Sequence, residues 1–228
     1  MSKRNRKATI DDGMNPELVR GAEFDGYLGI PLIKKPDKLI IPTGITPFTY
    51  RHRTSCSSEA IGFYEMDDEF ADILIHPEEY ADEFNGRIVI SPDCSLYRDS
   101  ALSVQIANTY RNRAIGYYLQ THGAYVIPQV RWGNALTYTT EVLPEKLAFL
   151  GVEKHSIVAI GTYGCIRSHT DKKHFKAGLA AMLDELEPEI VLVYGSMPDS
   201  IFKDFLGRTN FVNYPDWITR QRGGNSNG

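Results

Sequence analysis

The stretch that decides the fold is Arg87-Ile88-Val89-Ile90-Ser91-Pro92-Asp93-Cys94-Ser95, followed by a long helical run and then by Ala124-Tyr125-Val126-Ile127-Pro128-Gln129-Val130-Arg131-Trp132-Gly133. Two short segments rich in Val and Ile flank one helix. Runs of this kind read as strands buried on both faces, and a helix between two of them makes a parallel strand–helix–strand unit. The helix covers about residues 100–122 and stops at Gly123, which suits the left-handed position after a helix. Each strand runs out into polar residues: Asp93 and Ser95 after the first, Arg131 and Trp132 after the second. In parallel α/β folds the loops beyond the carboxyl ends of the strands carry the ligand site. Those four residues are therefore the first candidates.

The same alternation recurs on both sides. Upstream, residues 61–66 read as a strand that ends in Asp67-Asp68. Short helices follow at 69–75 and 77–84, the second with Pro77 in its first turn. Downstream, strands are predicted at 156–160, 189–194 and 210–214. Helices are predicted at 144–150, 171–186 and 198–206, with Thr170 or Asp171 capping the second of them. These make about six βα-type units, and right-handed crossovers would set the helices outside a parallel sheet. A complete eight-fold barrel typically takes about 250 residues, against 228 here. The expected architecture is an α/β fold of parallel βα repeats forming a reduced or irregular (β/α) barrel, with an open doubly wound sheet as the alternative. Apolar runs at 27–33 and 39–41 flank a Pro-Asp turn, and 43–56 reads as loop, broken by Gly44 and Pro47. The expected organisation is a flexible N-terminal segment over 1–22, one α/β domain over 23–217 and a flexible tail over 218–228.

Charge and cysteine usage bound the partners. The net charge of −4 argues against a molecule that binds nucleic acid by bulk electrostatics. Tyr110, Tyr117, Tyr118, Arg111, Arg113 and the basic ends keep single-stranded nucleic acid as a less favoured partner. Cys56, Cys94 and Cys165 are widely spaced and form no CxxC pair, so neither a disulfide framework nor a zinc site is indicated. A reducing cytoplasm fits that pattern. No apolar run approaches the roughly 20 residues that span a bilayer, and the basic start lacks the apolar stretch of a signal peptide. No membrane partner is expected.

A series of short motifs resembles a known family. Asp67-Asp68 after a strand, Pro92-Asp93-x-Ser95, Asn108-x-x-Arg111, Pro128-x-Val130-x-Trp132-Gly133, Gly161-Thr162-x-Gly164 and Tyr194-Gly195 occur in this order. Together they resemble domain of unknown function 4417, whose members occur in bacteria, phages and other mobile elements. The likeness runs over residues 62–195. It departs at Cys94, where the pattern has an aromatic residue between Asp and Ser, a difference that bears on packing. The resemblance implies a phage or mobile-element origin, and hence a bacterial host cytoplasm, but no reaction. The chemistry has to come from the residues.

Asp67, Asp68 and Asp93 follow consecutive strands. If they converge, they can hold Mg²⁺ or Mn²⁺ or act as an acid/base pair; otherwise Asp68 caps a helix and Asp93 opens a turn. Arg131 offers a planar fork for carboxylate or phosphate, and Trp132 a stacking face, but strand alternation lets only one of them face inward. Arg111 falls in line with Val104, Ala107, Ile115 and Tyr118, and a charge on that stripe needs a partner. Thr162, Gly164, Arg167 and His169 lead into a helix whose early turns hold Lys172, Lys173 and His174. Glycines and a helix start can receive an anion, with Ser196 as a second contact; the bland alternative is a solvated basic helix start. The histidines show no metal-ligand spacing, and no Gly-x-Ser-x-Gly elbow is present. The expected function is an enzyme acting on a phosphorylated small molecule or nucleotide at the strand ends. The alternative is a non-catalytic protein that sequesters a nucleotide or blocks a host protein.

Overall fold

The strand–helix–strand unit forms as the sequence predicts. In the computed structural model, which describes residues 15–53 and 58–224, strand β5 (Ile88–Ile90) and strand β6 (Tyr125–Ile127) pair in parallel on either side of helix α3 (Leu102–Thr121). Gly123 takes φ 91° just after the helix, the backbone state that a residue without Cβ adopts at least cost.

The remaining elements extend this unit in chain order. A short antiparallel pair, β1 (Phe24–Asp25) and β2 (Ile30–Pro31), precedes the parallel strands β3 (Ile45–Pro47) and β4 (Ala60–Gly62). Helices α1 (Ala71–Ile75) and α2 (Ala81–Phe84) lead to β5. After β6 come α4 (Ala135–Tyr138), β7 (Ile157–Gly161), α5 (His169–Leu186), β8 (Ile190–Tyr194), α6 (Asp199–Phe202), β9 (Asn210–Tyr214) and α7 (Trp217–Gly224). The strands form two parallel sheets of sequential order, β3-β4-β5-β6 and β7-β8-β9. A single parallel bridge, Gln129 to Ala159, joins them, with Val130 N donating to Ala159 O at 2.8 Å and Ala159 N to Pro128 O at 2.9 Å. Neither sheet reverses its strand order as a doubly wound sheet does. Nor does hydrogen bonding close them into a barrel: among the described residues no ladder joins β9 to β3.

Side-chain alternation sorts the strand residues between two surroundings. Ile45, Ala60, Ile88, Ile90, Ile127, Ile157, Ala159, Leu192, Tyr194 and Tyr214 pack in one cluster that draws on all seven parallel strands. Their alternates, such as Val89, Val126, Val158 and Val193, pack toward the helices in two other clusters. Packing on both faces explains why the strands read as unbroken apolar runs rather than as alternating ones.

Helix α3 is the exception to this apolar logic. Its buried face carries Gln105, Thr109, Asn112 and Arg113. Arg113, 2% exposed, donates to Leu150 O at 2.9 Å, Gln129 O at 2.6 Å, Ala148 O at 3.3 Å and Asn112 Oδ1. Burial lowers its pKa to about 10, so it remains charged at neutral pH. Asn112 Oδ1 also accepts from Ser91 Oγ at 2.9 Å, and Asn112 Nδ2 donates to Pro92 O. The helix thus grips the loops just ahead of Asp93 and Arg131. Arg111, the residue the stripe argument singles out, is only half-buried, and Val104 on that stripe is exposed. The buried charge is Arg113.

Several boundaries differ from the sequence reading: the helix expected at 144–150 is only the 3₁₀ turn Leu147–Phe149, and the strand expected at 61–66 is Ala60–Gly62. Ile45–Pro47 is a strand, not loop; three residues are too few to give a period. The 3₁₀ turn Pro16–Val19 is docked, with Leu18 packed against the core and Tyr117 Oη donating to Arg20 O at 3.0 Å. Helix α7 continues where a tail was expected, pinned by an ion pair between Arg220 and Glu59. Residues 1–14, Cys56 and residues 225–228 lie outside the described residues.

Candidate functional site

The parallel strands all point their carboxyl ends the same way, and strand alternation brings inward-facing residues to that end. Pro47 ends β3, Tyr64 follows β4, Asp93 follows β5, Arg131 follows β6 and Tyr194 ends β8. All five line one cavity of about 440 Å³. A second cavity, of about 340 Å³, adjoins it and is lined by Arg98, Trp132, Gly161, His174 and Phe175 among others. Tyr97, Arg131, Gly164 and Cys165 border both. Two chambers therefore share a wall of which Arg131 is part.

The pair at that wall is Asp93 and Arg131. Arg131 Nη1 donates to Asp93 Oδ2 at 2.7 Å, and Nη2 approaches Cys165 Sγ at 3.7 Å. Asp93 is 6% exposed, and its other oxygen, Oδ1, is buried without a hydrogen-bond partner among the described residues. Burial raises the Asp93 carboxyl above the usual carboxylate range, while the adjacent guanidinium works against that rise. Burial by itself would lower the Arg131 pKa, but Asp93 holds it above its ordinary value. Cys165 is a half-buried thiol whose pKa burial raises, so it is held neutral.

Tyr64 is the residue sequence reasoning missed. Its ring stacks on Tyr194 with centroids 4.4 Å apart and planes 9° from parallel. The ring lies against Gly161, where an added Cβ would come within 2.8 Å of two ring carbons. Tyr64 Oη is buried without a partner among the described residues, and burial, with Asp93 adding to it, pushes the phenol well above its ordinary value. It stays protonated. The outer wall of the first chamber is Tyr50 stacked on Trp217, centroids 5.1 Å apart. Trp217 N donates to Tyr194 Oη at 2.9 Å, which ties α7 to the inner stack. An aromatic residue in a strand or after it looks like core, so no local pattern flags these rings.

The other sequence candidates divide. Asp67 sits beside the pair but is engaged: its carboxylate accepts from Ser95 N at 3.1 Å and Ser95 Oγ at 2.7 Å. Ser95 O in turn accepts from Asn108 Nδ2 at 2.7 Å. Asp68 is exposed, and Asp67, Asp68 and Asp93 do not gather into a three-ligand cluster; among the described residues only His76, Glu78 and Glu79 do. Trp132 is 8% exposed and packs against Phe175 and Gly178, where a Cβ would collide with the indole. Arg131 faces inward and Trp132 faces α5, as alternation requires.

The anion loop is also rearranged. The Thr162 hydroxyl contacts the carbonyls of Ser196 at 2.7 Å and Tyr194 at 3.2 Å. Ser196 is exposed, as are Arg167 and His169. Ser168, not Thr170 or Asp171, caps α5: its hydroxyl accepts from Asp171 N, and Asp171 accepts from Ser168 N. Asp171 also pairs with Arg98 at 3.2 Å. The basic start of α5 is thereby relieved from within the chain. Gly164 borders both chambers.

Fold and site together define a parallel α/β protein with a two-chambered, aromatic-walled cavity at the carboxyl ends of its strands. The family model "Domain of unknown function (DUF4417)" matches residues 22–215, and the chain belongs to that family. It is similar to the Gene 1 protein of Mycobacterium phage D29, 29% identical over 175 residues, which are 75% of this chain and 61% of that protein. It is similar to the same extent to the Gene 1 protein of Mycobacterium phage L5, with 75% of this chain and 72% of that protein covered. The match thus takes in less than two thirds of the D29 protein's length. The phage context that the motifs imply is borne out by these relatives. No solved structure matches the chain. No helix among the described residues is long and apolar enough to cross a membrane.

Proposed function

We propose that the protein is an enzyme acting on a nucleotide or similarly phosphorylated small molecule, held at the mouth of an incomplete (β/α) barrel, with Asp93 as the proton-handling group and Arg131 as its positioning partner. The observation that carries this reading is Asp93 itself, a buried carboxyl that lines a cavity of ligand size and whose Oδ1 has no hydrogen-bond partner among the described residues. A carboxylate set in this way can take a proton from a bound molecule. The common packing of side chains from all seven strands supports the barrel-like mouth. A non-catalytic, sequestering role has one observation in its favour: Asp67 and Asp93 are engaged separately, by Ser95 and by Arg131, rather than paired with each other. Mg²⁺ or Mn²⁺ would find an open ligand in Asp93 Oδ1, but Asp67 would have to release Ser95 to join it.

The test is a thermal-shift panel of nucleotides and sugar phosphates, with and without Mg²⁺ or Mn²⁺, followed by mass spectrometry of each stabilising compound after incubation. A ligand at about 100 times its Kd should add about 2.7 kcal/mol to stability. Stabilisation with conversion supports the enzyme, and stabilisation without conversion the sequestering protein. No stabilisation by any compound removes both.

A pH dependence follows from the enzymatic reading. A carboxyl with its ordinary pKa loses ionisation near 3.8; that of Asp93 is raised, so its ionised form is lost at a higher pH as the medium is acidified. If ionised Asp93 is the base, kcat/KM should fall on the acid side above the ordinary carboxylate range. Asp93→Asn should abolish that limb together with turnover. A limb that survives in Asp93→Asn would assign it to another group.

A further inference from the structure

The two chambers differ in chemistry, and the difference sorts the parts of a ligand between them. Six aromatic rings line the first: Tyr50, Tyr64, Tyr97, Tyr163, Tyr194 and Trp217. Its charged lining is Glu65, Asp93 and Asp216 against Arg131. A phosphate there would meet three carboxylates and one guanidinium already paired with Asp93, which Coulomb repulsion disfavours. A flat ring would instead find faces to stack on. Two residues lining it also carry buried atoms without a partner among the described residues, the acceptor Oδ1 of Asp93 and the hydroxyl of Tyr64. Leaving either atom buried without a hydrogen bond is costly, so the pair calls for a ligand edge carrying an N–H donor beside a ring acceptor.

The second chamber has Arg98, Arg131 and His174 facing Asp99 and Asp171. Asp171 is occupied by Ser168 and Arg98. Gly164, where an added Cβ would meet only the Arg167 guanidinium at 3.8 Å, leaves room for a ligand to approach the backbone on that side. Of the two chambers it is the one that tolerates an anion.

We propose that the ligand is bipartite: a nucleobase-like heterocycle occupies the first chamber, with its N–H edge on Asp93 and Tyr64, and its anionic group lies in the second chamber, the two parts passing Arg131. This rests on the nucleotide reading above and adds to it which chamber takes which part. Tyr64 is then a binding residue that reads the ring edge, and the stacked Tyr194 holds it in place.

Titration calorimetry on the full chain separates the parts. The probes are nucleoside monophosphates, the matching nucleosides and ribose 5-phosphate, measured on the parent, Tyr64→Phe and Arg98→Ala. Tyr64→Phe removes only the hydroxyl and keeps the stacked ring, and thermal melting confirms that each variant is folded. Tyr64→Phe should weaken nucleotide and nucleoside alike by about three- to tenfold and leave ribose 5-phosphate unchanged. Arg98→Ala should weaken nucleotide and ribose 5-phosphate and leave the nucleoside unchanged. If nucleotides bind the parent but Tyr64→Phe changes nothing, or acts equally on ribose 5-phosphate, the placement of the ring is overturned while the nucleotide reading stands. If the parent binds none of the probes, that reading falls and the placement with it.

Discussion

Arg131→Met should lower the free energy of unfolding by about 3–5 kcal/mol at neutral pH, the loss typical of removing one partner from a buried ion pair. The guanidinium donates at 2.7 Å to a carboxylate whose side chain is 7% exposed. Methionine fills part of the volume but leaves Asp93 with neither oxygen partnered. The carboxyl can escape only by taking up a proton, so its folded pKa rises further above its unfolded value. A carboxyl raised on folding costs stability as pH climbs from the unfolded to the folded pKa, by about 1.4 kcal/mol for each unit between them. Denaturant unfolding at several pH values should therefore show the deficit of Arg131→Met growing from acid toward neutral. The double variant Arg131→Met, Asp93→Leu should recover most of the loss, since it replaces the pair with apolar groups. It should not recover ligand binding. A deficit that is independent of pH, or a double variant no better than the single, would mean that the pair does not act as a buried ion pair.

Arg113→Ala is expected to cost as much, about 3–5 kcal/mol, for a different reason. Among the described residues the side chain pairs with no carboxylate; carbonyls and an amide oxygen solvate it. Its removal strands Leu150 O, Gln129 O and Ala148 O in the interior together with a void. Arg113→Lys should restore only part of the stability, because an ammonium cannot reach that many acceptors in a planar fork. Gln129 and Asn112 anchor the approaches to Arg131 and Asp93, so ligand affinity should fall along with stability. Equal stability of Arg113→Ala and the parent in urea unfolding would refute the network's structural role.

The fold was legible where apolar runs were long enough to count. Strand β9 falls on the predicted 210–214, β5, β7 and β8 fall within a residue of their predicted spans, and β6 stops three residues short of a strand expected over 124–130. Gly123 marked the end of α3, and the strand-end rule led directly to Asp93 and Arg131. It did not lead to Tyr64, Tyr194 or Trp217, because a ring in a chemical wall and a ring in a core leave the same mark in a sequence. Arg111 was chosen over Arg113 on the assumption that the buried face of α3 is apolar. That face carries Gln105, Asn112 and Arg113 instead, and only the carbonyls that receive Arg113, supplied by residues 129, 148 and 150, make such a face tolerable. The anion loop was misjudged at the start of α5 itself: Ser168 and Asp171 cap it between them, and the basic groups within reach of a ligand are instead those lining the second chamber, Arg98, Arg131 and His174.

The single bridge between Gln129 and Ala159 lies directly beneath the candidate site. Tyr64, Asp93 and Arg131 belong to the sheet on one side of it, and Gly161, Cys165 and Tyr194 to the sheet on the other. Backbone lacing across this seam is one bridge, and side chains packed from all seven strands hold the two sheets together there. A ligand that touched Asp93 on one side and Tyr194 on the other would stitch the two sheets together where their backbones scarcely meet.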